Sequence, residues 1–462
     1  MRNRRITAAL LAACLAGTLA VPAQGEDAWQ PQTVAVCEAE DGTFTGNVRV
    51  ERKGSVTGFQ NDGDSCTVIV QIDETGFYDL EFMAKSQGGY GGRDLGGRSM
   101  INFEKGIVNR GNWYAIQQVF KKAGRGEPVT IGFLGGSITQ GSLASCQENC
   151  YASLVFQWWQ QLFPNARFIN AGIGGTTSQF GVARVEADLL QYRPDMIFVE
   201  FSVNDDCNAF FMETYEGLVR KILSAGAAVM LIHNVRYDNM ESAEDVHLKI
   251  GQHYALPCVS MRSTIYPLVA SGRLPSRQIT PDNLHPNDEG HRLVASVITH
   301  FLEIIRSAST PNCQPAGLPA PLTANQYENS VRCQNYNSQP VLEGFQPDDT
   351  PQEHITQMFR HGFTAWHAGD RITFWVEGTG IAVQYRKSVR KPAPIARVVV
   401  DNQEERAVLL DANFQEDWGD CLYIDNVLVH GEQKRHKVEI TVVGAHSQDA
   451  VPFYLVSVIG SQ

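Results

Sequence analysis

Apolar and polar positions change their period twice along the chain. Between residues 26 and about 112 they alternate. Val68, Val70 and Ile72 stand among polar neighbours, then Gly76 turns the chain into Tyr78-Asp79-Leu80-Glu81-Phe82. Period two punctuated by Gly and Asp predicts strands. Residues 87–97 hold six Gly in eleven and read as a loop. From about residue 113 short apolar runs alternate with longer amphipathic stretches. The pattern predicts strands at 129–134, 168–170, 196–201 and 228–232, and helices at 151–163, 178–192, 213–224 and 286–306. On the last helix Leu293, Val297, Phe301 and Ile305 fall on one face. Such alternation predicts an α/β domain, a parallel sheet covered by helices on both faces. Residues 308–343 carry Pro at 311, 315, 319, 321 and 340 and read as a connecting segment. Period two then resumes in Ile372, Phe374 and Val376, in Ile381, Val383 and Tyr385 after Gly378-Thr379-Gly380, and in Val438, Ile440 and Val442. This predicts a second β domain, a β-sandwich or jelly roll.

Composition narrows the picture without changing it. Hydrophobic residues make up 43% of 462, enough for several cores and against wholesale disorder. Lys and Arg number 38 against 50 Asp and Glu, a net charge of -12. Nucleic acid is therefore a poor partner, because phosphate contacts need clustered cations.

The first residues read as an export signal. Arg2, Arg4 and Arg5 precede the apolar run 6–21, followed by Pro22-Ala23-Gln24-Gly25. Cleavage is expected after Gly25, which removes three Arg and takes the net charge from -12 to -15. The run is shorter than the roughly 20 residues of a membrane span, and no other such run follows, so no transmembrane span is expected. Leu11-Ala12-Ala13-Cys14 also reads as a lipoprotein signal, with anchoring through Cys14 as the alternative to a secreted, extracellular or periplasmic protein. Export makes disulfides plausible among the other nine Cys. Cys146 and Cys150 are close enough to pair, and Cys37/Cys66 and Cys313/Cys333 each sit within one segment. Their spacing fits no zinc motif.

The expected domains are a signal peptide at 1–25, a β-sandwich at 26–112, an α/β domain at 113–308, a linker at 309–341 and a β-sandwich or jelly roll at 342–462. The chemistry concentrates in four blocks of the α/β domain. In the first, a strand runs into Gly135-Gly136-Ser137-Ile138-Thr139, placing a Ser at the carboxyl edge where open α/β sheets bind ligands. The nucleophile elbow G-x-S-x-G does not fit, since Thr139 holds the place of its second Gly. In the second, Asn170-Ala171-Gly172-Ile173-Gly174-Gly175-Thr176 can offer bare backbone N–H groups to an anion. It lacks the Lys of a nucleotide-binding loop. In the third, Ser202-Val203-Asn204-Asp205 supplies an amide that can donate to an oxyanion or cap the next helix. In the fourth, Asp282-Asn283-Leu284-His285-Pro286 sets an Asp three residues before a His, so that the carboxylate can turn back onto the ring Nδ1–H and leave Nε2 free as a base.

Taken together and in order, these blocks make the stretch from Asn112 to Arg306 resemble the SGNH (GDSL-type) hydrolases, carboxylic ester hydrolases with a flavodoxin-like three-layer α/β/α sheet. The usual first block reads Gly-Asp-Ser; Gly135-Gly136-Ser137 is similar to a sub-branch with Gly-Gly-Ser-Ile-Thr-Gln-Gly. The resemblance implies Ser137 as nucleophile, His285 as its base and Asp282 as the residue orienting His285. It implies an oxyanion hole from the N–H of Ser137, the N–H of Gly175 and the amide of Asn204, with Gly174 as alternative second donor. No cofactor is implied. The remaining histidines take ordinary readings: His291 is solvated or capping. Asp205 and Asp206 shape the Asn204 loop, and Trp158 and Trp159 pack in the core.

The flanks point to a polymer. Val36-Cys37-Glu38-Ala39-Glu40-Asp41-Gly42-Thr43 resembles carbohydrate-binding modules of the family 6/35 type, where such a strand helps hold a structural calcium, here through Glu38 or Glu40. Residues 378–459 resemble the jelly-roll accessory domain of two-domain carbohydrate esterases. Such a domain shapes the active-site rim or binds glycan. Trp366, Trp375 and Trp418 are expected to be buried, with sugar stacking as the alternative. The resemblance thus implies a secreted serine carbohydrate esterase that removes O-acetyl groups from a plant cell-wall polysaccharide, with acetylated xylan as the leading substrate. The alternatives are a lipase or esterase for other acyl groups, such as feruloyl or bacterial-polymer O-acetyl, and a surface glycan-binding protein with an inert hydrolase domain. No obligate protein partner is implied.

Overall fold

The structure is a computed structural model. It describes residues 101–309, 312–315, 317–350 and 358–462, together with the backbone of strand segments between residues 6 and 83. The chain divides into two compact units, Met1–Ile101 and Asn102–Gln462.

In the first unit the described strands are antiparallel. Pro31–Glu38, Ala16–Pro22 and Asp79–Met83 form one sheet in that order, Ile6–Ala8, Ser65–Val68 and Thr43–Thr45 a second, and Arg49–Glu51 pairs with Ser55–Thr57. Parts of the apolar leader, Ile6–Ala8 and Ala16–Pro22, are thus extended and paired. The Gly-rich loop 87–97, Cys14 and Glu40 lie outside the described residues, as do the side chains of Glu38, Cys37 and Cys66.

The second unit begins with the α/β domain. Its strands are β1 (Ile107–Asn109), β2 (Thr130–Gly135), β3 (Arg167–Gly172), β4 (Met196–Glu200), β5 (Ala228–His233) and β6 (Cys258–Ser260). They lie in the order β3-β2-β4-β5-β6-β1, parallel except for β1, which pairs antiparallel with β6. The α/β domain therefore starts before residue 113, since Ile107–Asn109 supplies its edge strand. β2 and β4 are buried along nearly their whole length, and Phe133 stacks on Phe198 across the sheet at 4.6 Å. Burying each such ring contributes about 1.5–3 kcal/mol.

Helix α1 (Tyr114–Gly124), α2 (Ser137–Gln140), α3 (Tyr151–Leu162), α4 (Ser178–Asp188), α5 (Ala209–Ser224), α6 (Glu244–His253) and a long carboxyl-terminal helix, Asp288–Ser307, cover the sheet. The Oδ1 of Asn287 caps the long helix by accepting from Gly290 N–H at 3.1 Å, and Asp288 and Glu289 in its first turn suit the positive end of the dipole. Its predicted stripe, Leu293, Val297, Phe301 and Ile305, is buried. Trp159 is buried and stacks on Phe120 at 4.5 Å, a core role. α6, β1 and β6 have too few apolar positions to show a period, whereas α1 carries one, with Ile116, Val119, Phe120 and Ala123 on its buried face.

The carboxyl-terminal domain is two antiparallel sheets around one core. The first holds Gln346–Asp348, Gly362–Ala365, Phe453–Ser461, Gly380–Lys387 and Cys421–Leu428, with Val331–Cys333 also paired to Phe453–Ser461. The second holds Val341–Glu343, Arg371–Gly378, Lys434–Gly444, Ile395–Val400 and Val408–Asp411. Ile372, Phe374, Val383, Val438, Ile440 and Phe453 meet between them. The connecting segment does more than link. Leu322 N–H donates to Glu216 at 2.6 Å, Thr323 N–H to the same carboxylate at 2.7 Å, and Arg220 pairs with Glu328 at 2.6 Å.

α4 shows how this domain is held. From Ser178 to Val185 every side is buried, because one face lies on the sheet and the other on the β domain. Phe180 packs with Phe359, Leu422, Tyr454 and Val456, and Ala183 with Ala382 and Ile459. Gln179 Nε2 donates to Asn426 Oδ1 at 2.5 Å.

No disulfide forms among the described cysteines. Cys150 is buried and its thiol donates to Ser153 Oγ at 3.3 Å, while Cys146 is exposed on the other side of the Gln147–Asn149 turn. Cys333 packs against the β-domain core, whereas the backbone at Cys313 accepts from Asn112 at 2.9 Å. Neither pairing suggested by spacing is present among these four residues.

Candidate active site

The strand order places a topological switch point at the carboxyl end of β2. From β2 the chain moves outward to β3, then crosses back to β4, so the loops after β2 and β4 part and leave a crevice. Ser137 follows β2 and Asn204 follows β4.

Close approach fixes the first block. A Cβ on Gly135 would lie 2.1 Å from Thr139 Oγ1 and 2.5 Å from Glu200 O; one on Gly172 would lie 2.2 Å from Gln140 N. Only bare backbone at both positions lets the short α2 settle between the strand ends. Arg184, wholly buried on α4, ties those ends by donating to Ala171 O at 2.7 Å and Gly135 O at 3.1 Å.

Ser137 is buried, and its Oγ lies 2.8 Å from His285 Nε2. His285 Nδ1 lies 2.7 Å from Asp282 Oδ2. The other carboxylate oxygen, Oδ1, accepts from Leu284 N–H at 2.9 Å, His285 N–H at 2.7 Å and the Thr280 hydroxyl at 3.1 Å. Burial pushes the Asp282 carboxyl up, but the donors from His285 and Leu284 outweigh it and hold it down at about 2. Asn283 takes φ 65°, which folds the loop tightly enough for the carboxylate to face its own loop's His. A hydroxyl, an imidazole and an ionised carboxylate thus stand in line.

The second and third blocks lie beside the first. A Cβ on Gly174 would lie 3.6 Å from the Ser137 Cβ, which sets this loop beside the hydroxyl. Gly174 N–H donates to Gln140 Oε1 at 2.8 Å, so it is occupied and leaves Gly175 as the candidate donor. Gly175 takes φ 67°, a conformation that favours Gly. The Asn204 side chain packs on Gly136: a Cβ there would lie 2.1 Å from Asn204 Oδ1. In this chain Asn204 thus fills the space a side chain at Gly136 would need. Among the described residues Asn204 Oδ1 has no hydrogen-bond partner.

Asp205 joins the two donor loops. Its Oδ1 accepts from Ser178 N–H at 2.9 Å, at the start of the helix following the Gly175 loop, and Oδ2 lies 3.0 Å from His247 Nε2. Burial raises the Asp205 carboxyl and lowers His247, which stacks on Tyr215 at 3.6 Å. His291 is fully buried rather than solvated. Its Nδ1 accepts from Tyr151 N–H at 3.2 Å and its Nε2 lies 3.3 Å from Ser142 O, so it ties the loop after α2 to the helix after the Asp282 block. Burial lowers its pKa to about 4.

Sequence reasoning missed Gln140, Arg184 and His291 as supports. Arg184 had a signal, the one cation on its helix, four residues before Asp188. The other two had none, since their partners are set by tertiary packing. Trp366, Trp375 and Trp418 are 48%, 45% and 52% exposed, which overturns the expectation of burial. Trp418 comes from the β domain, yet a Cβ on Gly175 would lie 3.7 Å from its Cη2. Among the described residues no group of three or more His, Cys, Asp and Glu could hold a metal, and no helix is long and apolar enough to cross a membrane.

Comparison with known proteins gives four findings. Residues 133–293 match the model of the GDSL-like lipase/acylhydrolase family. The chain is 56% identical to a two-domain esterase active on acetylated mannans, over 79% of this chain and 99% of that one, with a TM-score of 0.76. A second structure, described as that esterase co-crystallised with mannopentaose, is 57% identical over 79% and 98%, with a TM-score of 0.75. A more distant curated relative is thioesterase 1/protease 1/lysophospholipase L1 of Escherichia coli, 27% identical over 38% of this chain and 83% of the relative.

Proposed function

The chain belongs to the GDSL-like lipase/acylhydrolase family and is a carboxylic ester hydrolase; from this premise we propose that it removes O-acetyl groups from a plant cell-wall polysaccharide, with acetylated mannan as the polymer. The reaction class rests on one observation, the line from Ser137 Oγ through His285 to Asp282 at 2.8 and 2.7 Å. The polymer is taken from the likeness to the acetylated-mannan esterase, which displaces xylan as the leading substrate.

Ser137 Oγ attacks the acetyl carbonyl carbon while His285 Nε2 takes the hydroxyl proton. The carbonyl oxygen becomes an oxyanion held by Ser137 N–H, Gly175 N–H and the Asn204 amide. Collapse breaks the bond to the sugar oxygen, which leaves as a hydroxyl after taking the proton from His285. Water then attacks the acetyl-Ser137 ester, giving its proton to His285. Acetate departs, and that proton returns to Ser137. No step needs a cofactor.

We place this enzyme outside the cytoplasm, exported by residues 1–25, with Cys14 lipidation as the alternative. Residues 26–101 serve as the carbohydrate-binding module, 102–308 as the hydrolase, 309–341 as the connection and 342–462 as the accessory domain. Calcium at Glu38 and Glu40 belongs to the same proposal for the module.

The deciding assay is acetate release from acetylated mannan and acetylated xylan beside their deacetylated forms. Release is expected from mannan first. Cleavage of a small aryl acetate with none from either polymer would discard the polysaccharide reading, and a rate maximum beyond butyrate in an acyl-length series would favour a lipase.

Asn204→Ala is expected to lower kcat by about 10²–10³, the usual cost of one oxyanion donor. Gly136→Ala is expected to act through the same residue, since its methyl would displace the Asn204 amide. Both should leave the melting temperature close to wild type. If Gly136→Ala added a further large loss on top of Asn204→Ala, the displacement account would be wrong.

A further inference from the structure

We propose that His291 is a positioning residue for the acyl transfer: through Ser142 it sets the Ser137 hydroxyl in register with His285. This rests on the Ser137–His285–Asp282 reading above and adds what holds the nucleophile's block against the base's block.

The two reacting side chains come from segments 148 residues apart. Each stands on a short piece of backbone, and His291 is bonded to both pieces. Its N–H donates at 2.8 Å to the carbonyl of Asn287, the helix cap two residues past His285. Asn287 N–H donates to Ile279 O at 2.9 Å, and a Cβ on Gly290 would lie 2.8 Å from Pro286 Cβ. The His285 loop is thus packed on the turn that carries His291.

The ring faces the Ser137 block. Nε2 lies 3.3 Å from Ser142 O, and Nδ1 accepts from Tyr151 N–H at 3.2 Å. A carbonyl can only accept and a backbone N–H can only donate, so the ring is neutral with its proton on Nε2. Burial, which lowers His291 to about 4, favours the same neutral state. Ser142 N–H in turn donates to Ser137 O at 3.0 Å, as does Gly141 N–H. A single residue, Ser142, therefore joins the ring to the peptide of the nucleophile. Tyr151 closes the circuit. It begins α3, a helix without a side-chain cap, and its hydroxyl lies 2.7 Å from Thr139 Oγ1, two residues past Ser137. His291, Tyr151 and Thr139 are wholly buried, so water does not compete for these bonds. Asp288 on the same turn holds the outer part of the loop, accepting from Ser145 N–H at 2.7 Å and the Ser145 hydroxyl at 2.6 Å. The inner bond, at Ser142, is the one that reaches Ser137. A displacement of about 1 Å, produced away from the reacting atoms, can cost roughly 10²-fold in rate.

Two substitutions separate the two ring bonds. In His291→Gln the side-chain N–H takes the place of Nε2–H on Ser142 O. In His291→Asn the amide oxygen takes the place of Nδ1 on Tyr151 N–H, and the side chain is too short for Ser142. Both are assayed on a small aryl acetate, well below their melting temperatures. His291→Asn is expected to lower kcat by about 10–10²-fold with KM within about twofold of wild type. His291→Gln should stay within about threefold of wild type in kcat. The rate at which an aryl phosphonate labels Ser137 should fall in parallel with kcat, because it uses the same hydroxyl and base. Wild-type kcat in folded His291→Asn would overturn the proposal. Equal losses in the two variants would overturn it too, and would leave His291 a packing residue. A loss above about tenfold in His291→Gln would do so whether or not His291→Asn folds. The aryl acetate keeps the test independent of the polymer. Unchanged hydrolysis by Ser137→Ala would sink the triad reading itself. An inert Ser137→Ala beside an unimpaired His291→Asn would remove the brace alone.

Discussion

Ser137→Ala should lower kcat for acetate release by about a millionfold, as loss of a serine nucleophile does when its base and oxyanion donors remain. The change removes one oxygen from a buried position and leaves the surrounding glycines untouched. The fold should be unaffected, and thermal melting checks that. The residue left behind is not inert. On the proposed mechanism His285 and the oxyanion donors still surround the ester, so hydrolysis should stay roughly 10³–10⁴ above the uncatalysed rate. A loss below about tenfold, with the melting temperature intact, would show that Ser137 is not the nucleophile.

Asp282→Asn should cost about 10⁴ in kcat while changing the backbone very little. The amide oxygen can still accept from the Leu284 and His285 N–H groups that now bond Asp282 Oδ1. Facing His285 Nδ1, however, the amide presents an N–H where a carboxylate oxygen stood. Nδ1 must then accept, the ring proton moves to Nε2, and Nε2 can no longer take the proton of Ser137. The pH profile carries a second check. With its carboxyl held at about 2, Asp282 stays ionised throughout the range in which the enzyme is assayed. Asp282 should therefore add no limb of its own to the kcat/KM profile in that range. For stability the sign is that of a depressed carboxyl. The contribution of Asp282 is complete above its ordinary unfolded value and is lost as pH falls through about 2. An acid limb of slope two would place Asp282 on it and contradict this ordering.

The readable and unreadable parts of the site differ in the distance over which they are encoded. The Asp282 turn is local. Its carboxylate receives the N–H of a residue three positions on, so a short loop specifies the geometry. The strands ending at Ser137 and Asn204 are apolar runs buried on both faces, and that burial makes them visible as runs. Alternation of strands and helices makes a covered parallel sheet the economical solution, though it leaves the strand order open.

Tertiary structure alone decided the rest. His291 looked like a solvated helix residue, but the loop after Ser137 folds over it and buries it. The Cys pairs looked close in sequence, yet a turn and a domain boundary send their thiols to different surroundings. Gly174 and Gly175 were equivalent as donors until Gln140 took the first N–H. Trp418 lies more than half the chain's length from Gly175, and no period in the sequence marks it. It reaches the rim because α4 is buried on both sides and fixes the β domain against the loop that follows β3. Local pattern therefore determined which elements exist and which residues stand at their ends. Packing between distant segments determined which of those residues are free to meet a substrate.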